Sequence, residues 1–203
     1  AEFMRDLVLS TSGLMTKEIG GPSIKPYQPE GLWEGASSGR GILALYKQDH
    51  GEDLYRRGLY CFIKRTVPPP AMTIFDGSNR DQCEVGRLMT NTPLQALVLL
   101  NDPTILEASR VIAERLTKEG LKSEEKVSKA FRAIVCRRPT EQEISILTNF
   151  VAQKRKTLNE ISATELLDIG EYPMDQSLDK IEVAALMQAI SIIYNMEETF
   201  SKT

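Results

Sequence analysis

Apolar positions repeat at helical spacing through the second half of the chain, and only in short bursts through the first. Thr92-Pro93 has the form of an N-cap followed by proline at the first helical position, opening the run Leu94, Leu97, Val98 and Leu100. Asn101-Asp102-Pro103 repeats the start signal, and Ile105, Ala108, Ile112, Ala113 and Leu116 then mark one buried helix face, ended by Gly120. Ser123 is expected to cap a helix carrying Val127, Ala130, Phe131, Ile134 and Val135. Thr140 with Glu143 forms a capping box ahead of Ile144, Leu147, Phe150 and Val151. Lys154, Arg155 and Lys156 close that helix, where cations favour its dipole. The acidic stretch from Glu160 to Asp179 reads as a short helix and a loop. The segment from Lys180 to about Glu197 is apolar on most sides, the pattern of a central core helix.

The first half is poorer in pattern. Arg5 to Ser12 predicts a short helix capped by Gly13, and the prolines and glycines from Gly20 to Gly41 predict an extended, turning surface segment. Asp53 to Arg65 predicts a helix bearing Leu54, Leu59, Phe62 and Ile63, terminated by Pro68-Pro69-Pro70, with residues 71–91 irregular after it. The expected fold is all-α: an irregular helical bundle over 92–203 with a long proline- and glycine-rich arm over 4–91 packed on it as one continuous domain. Ala1-Glu2-Phe3 reads as a cloning remnant, and the chain as an excised fragment.

Composition changes this picture little. A chain of 203 residues with 41% hydrophobic and 26% charged residues has enough apolar material for a sizeable core. A net charge of −3 provides no global pull toward nucleic acid or anionic lipid. No segment is long and apolar enough to span a bilayer. Cys61, Cys83 and Cys136 form no C-x-x-C pair, so a zinc site or c-type haem attachment built on one is set aside, and three buried thiols are expected.

Three strings carry a likeness that periodicity does not. They are Tyr55 to Pro70, Phe75 to Cys83, and Thr90-Asn91-Thr92-Pro93-Leu94-Gln95 continuing to Pro103. Together with Gly20 to Trp33 and Arg137 to Thr140, they resemble the C-terminal part of the bacterial domain of unknown function 1553, the planctomycete cytochrome-associated family. The resemblance implies a larger exported protein, periplasmic or at the cell surface, whose other domains would be partners and could include one holding a c-type haem. No cofactor is expected in this chain, and the family supplies no catalytic residue. Family members commonly carry paired arginines before the Thr-Asn-Thr-Pro string, of which Gly86-Arg87 keeps only the second.

The residues themselves offer one candidate ligand site. Between 54 and 95, the six cations Arg56, Arg57, Lys64, Arg65, Arg80 and Arg87 outnumber the three carboxylates Asp76, Asp81 and Glu84. If these side chains converge, their guanidinium groups suit sulfate, phosphate or an acidic polysaccharide, with helix-start amides after Thr92 adding donors. The alternative is that they bond the carbonyls of the irregular segments. Asp76, Asn79, Asn91, Gln95, Asn101 and Asp102 add polar groups that fit sugar recognition, a carboxylate pair for general acid/base work as in glycoside hydrolysis, or turn and cap duty, the last being the better account of Asn101 and Asp102 before Pro103. Tyr27, Trp33, Tyr46, Tyr55 and Tyr60 are expected to anchor the arm. His50, the single histidine, is read as a loop or helix-start residue, and no metal site is expected. Two functions follow: a non-catalytic binding or scaffolding module holding an anionic or sulfated glycan, or part of a polysaccharide-active enzyme completed elsewhere.

Overall fold

The computed structural model describes residues 1–36, 45–78, 80 and 82–201. Gly39-Arg40-Gly41, Asn79 and Asp81 lie outside them. Helix α1 (Glu2–Ser12) takes in Glu2 and Phe3, buries Met4, Val8 and Leu9, and ends at Gly13 in the left-handed conformation. A short α2 (Leu32–Ala36) follows, then two 3-10 turns, Gly51–Tyr55 and Gly58–Tyr60. The remaining helices are α3 (Pro70–Ile74), α4 (Pro93–Asn101), α5 (Pro103–Lys118), α6 (Ser123–Val135), α7 (Glu141–Thr157), α8 (Glu160–Leu167), α9 (Lys180–Tyr194) and α10 (Glu197–Phe200). The fold is an irregular all-α bundle.

Helix α9 is its axis. Helices α4, α5, α6, α7 and α8 all pack on it, and α1 packs across α5. The apolar belt expected from the sequence explains this: Val183, Ala184, Ala185, Leu186, Met187, Ala189, Ile190 and Ile193 are all buried. Alanines at 184, 185 and 189 allow neighbouring helices to approach closely. Helix α5 presents its predicted stripe to α9, with Ile105, Ala108, Ile112, Ala113 and Leu116 buried. Thr140 and Glu143 make both halves of their capping box, as do Thr92 and Gln95.

Two buried polar networks cross the core. Lys126 Nζ and Arg155 Nε stand 2.8 Å from opposite oxygens of Glu182, tying α6 and α7 to α9. The second centres on Glu107, which is fully buried on α5. Its carboxyl accepts from Tyr55 OH at 2.9 Å, Tyr27 OH at 3.2 Å and Tyr172 N at 2.7 Å. Burial beside this charge pushes both tyrosine hydroxyls well above their ordinary range. Buried Arg110 completes the network by donating to Tyr172 O at 2.6 Å and pairing with Glu114 at 2.7 Å.

Several expectations are corrected. Residues 53–65 are not a helix: Arg56 and Arg57 are extended between the two 3-10 turns, and Leu59 is exposed. Tertiary contact overrides the local pattern here, because Gly58 lies against Glu2, where a Cβ would fall 2.9 Å from its Cα, and Gly58 N donates to Asp6 at 2.6 Å. The triple proline opens a helix instead of only ending one, since Pro70 occupies the first turn of α3, where a missing N–H costs nothing. Residue 123 is the first helical residue of α6 and not its cap; the preceding Lys122 N donates to Glu125 Oε2 at 3.0 Å. In α4 the inward residues are Gln95 and Leu99, while Leu94, Leu97 and Leu100 face out. Of the three thiols only Cys61 is buried, because Cys83 falls in an exposed loop and Cys136 in the left-handed turn after α6.

Candidate functional site

The basic segment is held mainly by internal partners. The Arg56 side chain is buried: Nη1 donates to Pro22 O at 2.8 Å, Nη2 to Gly20 O, and the guanidinium stacks 4.2 Å from the Tyr60 ring centre. Gly21, at φ 83, passes against this group, so the guanidinium organises the 20–22 turn. Arg57 Nε pairs with Asp6 at 3.0 Å. Arg87 holds Glu2 through two bonds of 2.5 and 3.0 Å, which lowers the Glu2 carboxyl below its ordinary range. Lys64 lies 4.5 Å over the Trp33 ring, beside Tyr46 and Phe62. Arg65 and Arg80 are exposed. The guanidinium groups of Arg56, Arg57 and Arg87 thus turn to three different partners.

The polar candidates do meet, around the start of α4. Asp76, itself at φ 55, accepts from Thr90 N at 2.8 Å and from the Thr90 hydroxyl at 2.9 and 3.0 Å. Buried Gln95 donates to Thr90 Oγ1 at 3.1 Å and to Ile74 O at 2.9 Å, and its Oε1 accepts from Thr92 N at 3.0 Å. Asn91 donates to Glu197 Oε1 at 3.2 Å. The Thr-Asn-Thr-Pro string therefore ties the irregular segment to α3 and α4. Asp102 is a cap, accepting from Thr104 N at 2.9 Å, and His50 lies 2.5 Å from Glu171. The anchoring aromatics also turn to the arm: Tyr46 OH donates to Pro26 O, and Tyr60 OH accepts from Gly20 N at 2.8 Å.

An opening lies beside this segment. A half-open cleft of about 670 Å³ runs between α1, the turn at 26–29, α3, and the α4–α5 junction. Met4, Val8, Pro26, Pro70, Phe75 and Val98 make its wall mostly apolar. Arg5 and Asp102 are the charged side chains among the described lining residues, and Ala1, which bears the terminal ammonium, lines it too. Arg5 donates to Leu54 O at 2.6 Å and Arg56 O at 3.2 Å, which fixes the guanidinium in place. Burial pushes the Asp102 carboxyl above its ordinary range, with Arg5 pulling the other way. Cys61, whose thiol burial pushes up, also lines the cleft.

One side of the cleft continues onto the surface. Leu97 lines it while 56% exposed, and Leu94 and Leu100, 52% and 41% exposed, extend the same outer face of α4. Beyond Leu100 a second opening of about 430 Å³ is walled by Leu106, Phe150, Leu166, Met187 and Ile192. Periodicity could not have found this site. The cleft draws residues from six separated stretches of sequence, and those the sequence singled out (Tyr27, Cys61, Leu97, Val98, Asn101, Asp102 and Ile105) stood out as anchor, thiol, cap or core positions and not as one site.

In comparison with known proteins, the chain matches a family model described as PSD1, Protein of unknown function (DUF1553), over residues 1–151. No curated protein and no solved structure matches the chain.

Proposed function

We propose that this chain, which belongs to the DUF1553 family of proteins of unknown function, is a non-catalytic binding module whose binding surface is the apolar cleft and the adjoining outer face of α4. The observation that carries this reading is the division of labour between the two candidate regions. Arg56, Arg57 and Arg87 bind carbonyls, Asp6 and Glu2 within the fold, while the neighbouring cleft leaves an apolar wall open to solvent. An opening of this size and lining is the usual form of a ligand site, and a contiguous exposed apolar face marks an interaction surface. The polar residues that would serve a hydrolytic enzyme are occupied: Asp76 by Thr90, and Asp102 by the start of α5.

The test sets an apolar probe against anionic ligands. Nile red, an uncharged dye, should bind saturably with enhanced emission, and Leu97→Asp should abolish that binding without loss of helix content. Sulfate, phosphate and sulfated oligosaccharides at low salt should leave the melting temperature unchanged. If sulfated oligosaccharides raise it, and Arg65→Ala with Arg80→Ala removes the rise, the basic segment is the binding site and the cleft reading fails.

A further inference from the structure

Helix α10 supplies nothing to the core, yet it reaches three distant parts of the chain. None of its four residues is buried. Glu198 accepts from Arg137 Nε at 2.7 Å and from Arg137 Nη2 at 3.0 Å. Glu197, beside it, accepts from Asn91 Nδ2 at 3.2 Å. The Phe200 ring meets Phe75 edge to face, with centres 6.3 Å apart. One helical turn thus joins the α6–α7 turn, the Thr-Asn-Thr-Pro string and the end of α3. Asn91 and Arg137 belong to two of the strings that carry the family resemblance, and both give side-chain bonds to α10.

The receiving side is built without α10. Arg137 is held by Glu143 through bonds of 2.6 and 2.9 Å and lies 4.8 Å from the Phe131 ring centre, so Glu198 docks on a fixed guanidinium fork. The α10 side is held more lightly. Its two carboxylates are exposed, where ion pairs contribute little. The link to α9 also carries a defect, because Asn195 Oδ1 is buried and has no donor among the described residues. A buried acceptor without a donor costs free energy that wetting relieves, so the closed position is opposed at its own hinge. We infer that α10 is a releasable strap, which when closed clamps the segment from Phe75 to Asn91 onto the α6–α7 turn and when open loosens that segment while the bundle around α9 stays folded. Opening of a lightly buried segment ahead of the core is the usual order in native proteins. Phe75 also lines the cleft, so, resting on the binding-module reading above, the strap sets one wall of the binding surface.

Amide hydrogen exchange of the intact chain tests the strap. The amides of Phe75, Asp76, Gly77 and Thr90 are all hydrogen-bonded in the closed state and report on the clamped segment. Glu198→Gln with Phe200→Ala removes an exposed ion pair and an aromatic pair, and should speed exchange at these four amides about tenfold while those of α5 and α9 keep their rates. Asn195→Leu removes the unpaired acceptor and should slow the same four. If the double variant speeds exchange only within residues 197–201, α10 frays alone and the strap is overturned. An unchanged rate in Asn195→Leu overturns the role of the hinge. Nile red should bind the double variant several-fold more weakly than the parent; equal binding, with faster exchange, overturns the link between strap and cleft. If Nile red does not bind the parent at all, the cleft reading fails, and exchange still decides the strap.

Discussion

Gly170 provides the most direct test of how the arm is held to the bundle. It sits at φ 77, and a Cβ built there would overlap the carboxyl of Glu107. Gly170→Ala therefore imposes two costs. Left-handed backbone at a residue with a Cβ costs roughly 1 kcal/mol. Displacing Glu107 disturbs the bonds from Tyr27, Tyr55 and Tyr172, and hydrogen bonds to a charged group contribute about 1.5–3 kcal/mol each. Losing one or two of them brings the total to about 4 kcal/mol, a large share of the roughly 5–15 kcal/mol that stabilises a typical domain. Gly120 is the control: it has φ 64 and nothing within 4 Å of a Cβ, so Gly120→Ala bears the backbone cost alone. Urea unfolding should separate the two variants by about 3 kcal/mol. At about 2–4 °C per kcal/mol for a chain of this size, melting temperatures should fall by roughly 8–16 °C and 2–4 °C. Equal losses, within about 1 kcal/mol, would show that the Glu107 network does not hold the arm to the bundle.

Three further outcomes are expected. Arg56→Ala removes a buried guanidinium that serves two loop carbonyls, and should cost about 3 kcal/mol in urea unfolding. A disulfide reagent such as dithionitrobenzoate should modify two thiols in the native chain, Cys83 and Cys136, and the Cys61 thiol only after unfolding. Arg137 holds the Glu143 carboxyl down to about 2 from its ordinary 4.5. Because the folded value is the lower one, its stabilisation is present above about pH 4.5 and is lost as pH falls toward 2. Glu143→Gln should then lower the melting temperature at pH 7, by the equivalent of about 1 kcal/mol for a partly exposed pair, and the difference from the parent should close by pH 2.

What the sequence revealed, and what it did not, divides along the range of the contacts involved. Most helices from residue 103 onward were legible because local caps and apolar stripes mark them: Asp102, Thr140 and Gly120 act where their residue types say they should, while the cap expected at Ser123 falls one residue earlier, at Lys122. The belt of 180–194 identified the central helix because few solvent-facing positions are compatible with so many apolar ones. The same logic failed at 53–65, where the local pattern is helical but Gly58 must pass against α1 and Arg56 must reach the carbonyls of 20–22. It also failed in α4, whose run of leucines gives no preferred face; Gln95, bonded to Ile74 and Thr90, sets the rotation. The cleft was invisible for a related reason, since it is bounded by segments around residues 4, 26, 48, 61, 70 and 100 that only folding brings together.

The position of α9 in the order of synthesis has a consequence for how the chain reaches this state. Helices α4 to α8 are made before the helix on which they all pack, so each emerges from the ribosome with the face it turns to α9 uncovered. Folding of the bundle must wait until residue 194 has been released, and until then the nascent chain is an open set of sticky amphipathic segments. Apolar surface exposed in this way is prone to aggregate, and nascent chains stalled before residue 180 should remain more sensitive to protease than the full chain.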